Sequence, residues 1–319
     1  MDKIQHHELA HFLMNPIDKA LILSRRESQI RQVLTHQNIN KEKTLLIYDE
    51  VHGFGAETNL KLVGLHDKFI YKLGLSATPE REYDENGNDF IAKEIGNVIF
   101  EYPISSAIED GILTEFDYVP LHFELTENDL EERRNVYKRK AAAEAKGEPW
   151  SDERLYQELA RVVKKAELKP ALLDEYLSKN SDILKYAIIY TIDNEQGHEI
   201  ARVISKYTNR YATYFQGADE VFLKKLGKGD IDVLIANERL NEGIDIPSVS
   251  VVILVSSDKA KLKTIQRIGR CLRVDKNNSN KRALVIDFIL DTDDENAADN
   301  QRNQWLQDMS NARRKVNGT

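Results

Sequence analysis

The chain reads as an α/β protein built on parallel sheets, in two successive halves joined by a helical connection. Three observations predict this. Short apolar runs alternate with polar, helix-favouring stretches along most of the length, the pattern of βαβ units. The 319 residues suffice for two domains with separate cores. Finally, Leu45-Leu46-Ile47-Tyr48 runs straight into Asp49-Glu50-Val51-His52, placing acids at a strand's carboxyl end, where open α/β sheets keep their ligand chemistry.

In the first third, strands are expected over 20–23, 45–48, 69–75 and 97–102, with helices over 25–35 and 57–65 between them. The composition changes between 126 and 180: 127–146 and 152–177 are charged and helix-favouring, broken by Gly147-Glu148-Pro149. For this helical connection, a solvated surface hairpin with no function of its own fits at least as well as a binding role. Alternation resumes with strands over 186–191, 212–215, 232–236, 249–255 and 282–288, and helices over 195–206, 219–226 and 259–272. Residues 291–319 open acidic and close on Arg313-Arg314-Lys315, as a terminal helix with a frayed end. The resulting plan is a first domain over 1–125, a connection over 126–180, a second domain over 181–292 and a C-terminal helix and tail over 293–319.

A formal charge of −8 is acidic for a dedicated nucleic-acid binder, so any basic track must be local. Lys259, Lys261 and Lys263 read as a solvated face rather than such a track. The single cysteine, Cys271, excludes an intramolecular disulfide framework and fits a reducing compartment. No apolar run is long enough for a membrane span, and the N-terminus carries no apolar signal core, so a cytoplasmic protein with no membrane partner is expected.

Phosphoanhydride hydrolysis needs charge neutralisation on the phosphates and a group that orients water. An aspartate at a strand tip suits the Mg²⁺ shell, and its neighbour suits a general base. Asp49 and Glu50 fit that pair, although an acidic pair after a strand is by itself usually a solvated strand end. Arg270 and Arg273, three apart, are expected to share one helical face, where arginine can stabilise a transferring phosphoryl group.

Taken in order, Asp49-Glu50-Val51-His52, Ser76-Ala77-Thr78, the run from Ile235 to Pro247 and Gln266-Arg267-Ile268-Gly269-Arg270-Cys271-Leu272-Arg273 resemble the motifs of the superfamily 2 helicases and translocases. The resemblance spans about residues 20–288. The DExH form and Ile112-Leu113-Thr114 look nearest to its restriction-enzyme and repair-helicase branch. It implies two RecA-like domains that close on ATP with Mg²⁺ and track along nucleic acid, with DNA preferred by branch. Carried over, Asp49 would serve Mg²⁺ and Glu50 would activate water. His52, Ser76, Ala77 and Thr78 would couple hydrolysis to movement. Gly243, Asp245 and Gln266 would meet the nucleotide, and Arg270 and Arg273 would act as fingers at the γ-phosphate. Asn237 stands where many relatives carry threonine.

One departure is large. The sequence contains no G-x-x-x-x-G-K-[ST] loop, and no glycine precedes Gly53. Without the backbone cradle and its lysine, most β- and γ-phosphate contacts are lost. The first domain is therefore expected to be incomplete, with a raw sheet edge and exposed apolar faces. The loop would come from a further chain or from an N-terminal segment. Two functions are compatible with this: part of an ATP-dependent DNA helicase or translocase, weak or inactive alone, or a non-catalytic nucleic-acid or protein interaction module.

His7-Glu8-Leu9-Ala10-His11 matches the zinc-protease pattern H-E-x-x-H. A third ligand is needed, yet Met14 and Ile17 occupy the positions for the extended pattern's Gly and His. The preferred reading is an amphipathic helix packing Leu9, Phe12 and Leu13.

Overall fold

A computed structural model describes residues 2–313 apart from 18, 24–25, 79–83, 149, 216–218, 220, 238–239, 241–245, 247, 258–260, 276–277, 279 and 296; side chains of 2–7 and 262 are likewise outside the description. The chain forms two compact units, Met1–Glu101 and Tyr102–Thr319.

Unit 1 contains helices α1 (Asp2–Met14) and α2 (Glu27–Thr35), strands β1 (Leu45–Asp49) and β2 (Tyr71–Leu75), and helix α3 (Glu85–Glu94). Two 3₁₀ segments, Val51–Gly55 and Glu57–Leu62, come after β1. The second replaces the helix expected over 57–65. The strands pair in parallel, Leu45 opposite Tyr71 and Asp49 opposite Leu75. Leu46 and Tyr48 point to one face of this sheet, where Leu9, Leu13, Val33 and Leu34 form one cluster and Val51, Phe54, Leu62 and Phe90 another. As expected, α1 packs through Leu9 and Leu13, with Phe12 partly buried.

The opposite face is uncovered. Leu45 (55%), Ile47 (58%), Tyr71 (55%) and Leu75 (47%) stand exposed on it. Parallel strands ordinarily need both faces covered. The strands expected over 20–23 and 97–102 are not formed: both segments lack ladder pairing, and Ile22, Ile99 and Phe100 are exposed.

Unit 2 is built on six parallel strands: β3 (Phe116–Phe123), β4 (Ala187–Tyr190), β5 (Tyr211–Tyr214), β6 (Val233–Ala236), β7 (Val251–Leu254) and β8 (Ala283–Leu290), in the order β3-β8-β7-β4-β6-β5. Helix α4 (Ile104–Glu109) precedes them, α5 (Glu127–Ala145), α6 (Asp152–Lys164), α7 (Leu168–Asn180), α8 (Asn194–Ile204), α9 (Val221–Lys228) and α10 (Lys261–Ile268) lie between them in sequence, and α11 (Ala298–Ser310) follows. The period-2 pattern sends Ala187, Ile189, Val233, Ile235, Val251 and Ile253 to one face, onto Leu173, Leu177 of α7 and Ile200, Ile204 of α8. Ile188, Tyr190, Leu234, Val252 and Leu254 face the other way, onto Ile108, Leu223, Leu226, Ile268 and Leu306. Both faces are therefore covered.

The boundary expected at 125 differs from the structure. Phe116–Phe123, assigned by sequence to the first domain, is strand β3 of the second sheet and pairs with β8 along its full length. Pro120 is compatible with this because β3 lies at the sheet's edge. Thr126 then starts α5 through a capping box with Asp129. Thus α5, α6 and α7 belong to unit 2, and α7 lies against β3.

Charged groups are buried beneath this sheet. Arg302 of α11 donates to Asp287 of β8 at 2.7 Å and to Asp299 at 2.9 Å. Lys169 of α7 donates to the Val255 carbonyl at 2.9 Å and the Lys164 carbonyl at 3.2 Å. Among the described residues, no helix is long and apolar enough to cross a membrane.

The packing sets two stability measurements. Ile253→Ala opens a cavity in the two-sided core and is expected to lower urea stability by about 2–5 kcal/mol, whereas Ile47→Ala on the uncovered face should change it by less than about 1 kcal/mol. Burial pushes the Lys169 ammonium down to about 7, with Asp299 and Asp287 opposing the shift and Arg302 adding to it. Between that value and its ordinary one the unfolded chain binds a proton that the folded chain lacks, so this residue contributes stability that rises with pH. Urea midpoints compared between about pH 7 and pH 9 should rise less in Lys169→Met than in the parent.

Candidate functional site

Strand β1 delivers Asp49, exposed, to its carboxyl end, and the register sets Asp49 beside Leu75, immediately before Ser76. The chain then turns sharply at Glu50, which adopts the left-handed conformation (φ 50°, ψ 55°). A non-glycine residue held there carries backbone strain of about 1–2 kcal/mol, the kind that collects at functional sites. The Glu50 N–H donates to Asp49 Oδ1 at 3.0 Å, locking the two acids in sequence. The turn sits low on the sheet because β2 offers Gly74 beneath it: a Cβ there would meet Val51 side-chain carbons at 3.0–3.2 Å.

His52 links this turn to the second motif. Its Nδ1 lies 3.0 Å from Ser76 Oγ and 3.3 Å from Glu50 Oε2. The Ser76 hydroxyl donates to the Thr78 carbonyl at 2.7 Å and accepts the Thr78 N–H at 3.2 Å. With its one proton committed, Ser76 can only accept from His52. Ala77 is exposed between them, and the Thr78 hydroxyl is buried without a hydrogen-bond partner among the described residues.

Behind the acids lies a polar chain that no sequence motif marks. Tyr48 Oη is 2.7 Å from His66 Nε2, and His66 Nδ1 is 2.8 Å from Glu94 Oε2. His66 and Glu94 are fully buried, and Glu94 Oε1 also accepts the Gly64 N–H at 2.9 Å. Burial is the main influence on His66 and lowers its proton affinity, with Glu94 opposing. Phe54 covers the assembly, its ring 4.5 Å from that of Tyr48 and 5.4 Å from His66. The chain thus ties the strand carrying Asp49 to α3. Its only sequence signal is Tyr48 inside a strand; His66 and Glu94 carry no motif.

In unit 2, Gln266 is half-buried on α10. Arg267 is fully buried, donating to the Ser256 carbonyl at 2.8 Å with its guanidinium 5.0 Å from the Tyr190 ring. The helix expected over 259–272 ends at Ile268, so Arg270 and Arg273 do not share a helical face; they lie in turns closed by Cys271 and Leu272 N–H bonds to the Ile268 carbonyl. Gly269 fits because a Cβ would lie 3.0 Å from the Ile265 carbonyl. Arg270 is 7% exposed and lies near enough to Tyr190 to counter the burial that pushes that phenol up to about 12. Arg273 is half-buried and bridges to Leu113. Asn237 donates to Asn194 at the start of α8, at 3.0 Å. Gly243 and Asp245 lie outside the described residues.

Among the described residues no three His, Cys, Asp or Glu side chains converge as a metal-ion group. The His7 side chain of the H-E-x-x-H pattern lies outside the description. Mg²⁺ asks less of a protein, commonly one or two carboxylates with waters and phosphates completing the shell, and exposed Asp49 suits that role. Since Ser76 Oγ can only accept from His52 Nδ1, this nitrogen should carry the ring proton; ¹⁵N NMR is expected to find the Nδ1–H form, and Ser76→Ala to shift the resonance.

Comparison with known proteins agrees with these motifs. Residues 169–275 match the helicase conserved C-terminal domain, and residues 7–81 match the type III restriction enzyme res subunit. The DNA 3'-5' translocase XPB2 of Sulfurisphaera tokodaii is 24% identical over 79% of this chain and 60% of its own length. The UvrABC system protein B of Fusobacterium nucleatum is 34% identical over 28% of this chain and 14% of its own. The solved Hef helicase domain of Pyrococcus furiosus is 15% identical, with a TM-score of 0.49 over 88% of this chain and 77% of that one. The chain spans 60% or less of these curated relatives. Together these matches support a superfamily 2 helicase of the restriction-enzyme and repair-helicase type.

Proposed function

We propose that this chain is part of an ATP-dependent DNA helicase or translocase, in which Mg²⁺-bound ATP is hydrolysed to drive movement on DNA. The observation that carries the reading is the wiring of the acid pair: Glu50, held in a strained turn beside Asp49, shares His52 with Ser76. A solvated strand end has no need of such a linkage. Asp49 would hold the magnesium shell, and Mg²⁺, when bound, would neutralise charge on the phosphates. Glu50 would take the proton of the attacking water, and His52 would pass any shift of Glu50 to the Ser76-Thr78 turn. Gln266 and Arg273, with Gly243 and Asp245, would serve the nucleotide from unit 2. DNA is favoured because XPB2 is named a DNA translocase.

The phosphate cradle is the missing part. The uncovered face of β1 and β2, with Leu45, Ile47, Tyr71 and Leu75 exposed, supports a covering segment that also carries the glycine-rich loop, from this polypeptide or another chain. Alone, the 319 residues would turn over ATP weakly or not at all. The buried Cys271, a free thiol, suits a cytoplasmic setting. A second reading, a non-catalytic interaction module, draws on one observation: Arg270, 7% exposed beside Tyr190, is packed as a core residue.

The test is ATP hydrolysis by the chain with and without DNA, alone and with a polypeptide bearing the loop. DNA-stimulated turnover is expected only with that polypeptide, and Glu50→Gln should lower kcat by about 10²–10⁴-fold. Appreciable turnover by the chain alone, abolished in Glu50→Gln, would overturn the need for the loop. DNA binding without turnover in every combination would favour the interaction module.

A further inference from the structure

We propose that Thr114 and Lys281 are positioning residues that clamp the backbone of Arg273 and so aim its guanidinium. The proposal rests on reading Arg273 as phosphate-facing.

The helix that carries Gln266 stops at Ile268, so its hydrogen-bond ladder does not hold Arg273. Something else must, because an arginine that meets a transferring phosphoryl group has to be placed to within about 0.5 Å. The groups that do so come from elsewhere in sequence. The Thr114 N–H donates to the Leu272 carbonyl at 2.7 Å, and the Thr114 hydroxyl to the Arg273 carbonyl at 3.3 Å. The Lys281 ammonium donates to the same Arg273 carbonyl at 2.7 Å. An isolated antiparallel bridge, Leu113 to Arg273, completes the clamp.

The clamp is itself anchored. The N–H groups of Ile112 and Leu113 both donate to the Ala107 carbonyl at 2.9 Å, fastening the segment to the end of α4. Immediately after it the chain enters β3, whose pairing with β8 fixes the other side. Thr114 is therefore 4% exposed between two fixed elements. Lys281 is half-buried, and burial lowers its proton affinity while Cys271 and Asp275 oppose the shift. Joining two loops does not require a partly buried ammonium directed at one carbonyl, since apolar packing would serve at lower desolvation cost. Two side-chain donors on the carbonyl of Arg273 point to control of that residue. Arg273 also keeps partial exposure where Arg270 does not, so it is the arginine with access to an anion.

The experiment uses the whole chain in four forms: parent, Thr114→Ser, Thr114→Val, and Thr114→Val combined with Lys281→Met. Amide hydrogen exchange reads the clamp without any activity. In the double variant, exchange at Thr114 and over 272–275 should quicken by about ten-fold, the scale of one modest hydrogen bond, while β4 and β6 keep their protection. Thr114→Ser should match the parent. Unchanged exchange, or uniform loosening of unit 2, would overturn the proposal. In the ATPase assay with the loop-bearing polypeptide, the double variant should lose about ten-fold in kcat with KM for ATP little changed, and Thr114→Ser should retain activity. A raised KM with kcat intact would also overturn it. Should the parent hydrolyse no ATP, the functional reading falls, and the exchange data alone still decide whether the clamp exists.

Discussion

A parallel strand satisfies its backbone sideways and sends side chains to both faces, so a parallel sheet is stable where each face meets another layer. Unit 2 meets that condition on both sides: β4, β6 and β7 alternate their side chains between two clusters, and every one of their residues is buried. Unit 1 meets it on one side. The chemistry divides in the same way. Asp49 and Glu50 emerge from the half-covered sheet, held by local hydrogen bonds and by the polar chain from Tyr48 to Glu94, whereas Arg267 and Arg270 are embedded in the fully covered one.

How much is legible in the sequence depends on how local each signal is. The strands of unit 2 are readable because their apolar runs are short, β-branched and bounded by turns, so period and length agree. Strand β3 escapes notice because Asp117, Pro120 and His122 interrupt its apolar character; only its edge position and pairing with β8 explain it, and pairing is a non-local fact. The runs at 20–23 and 97–102 fail for the opposite reason, being locally strand-like but without a neighbour to pair with.

The same distinction applies to the site. The acid pair, Ser76 and the Gln266–Arg273 segment are legible as motifs in order, and the links from His52 to Glu50 and Ser76 bring the first two together. Sequence does not anticipate that α10 stops at Ile268, nor that the Leu272 and Arg273 carbonyls beyond it bond to Thr114 and Lys281, partners from other parts of the chain. Nor does it reveal His66 and Glu94, which take their meaning from a hydrogen bond to Tyr48 across 18 residues and another across 28.

The left-handed backbone at Glu50 has a consequence for anyone improving this protein. Glycine would adopt that conformation freely and relieve about 1 kcal/mol of strain, and asparagine would relieve part of it. Selection for heat resistance alone would thus reward replacement of the residue assigned the base role. Stability and chemistry pull in opposite directions at this position, and a thermostable descendant obtained without an activity screen would be enriched in silent loss of function.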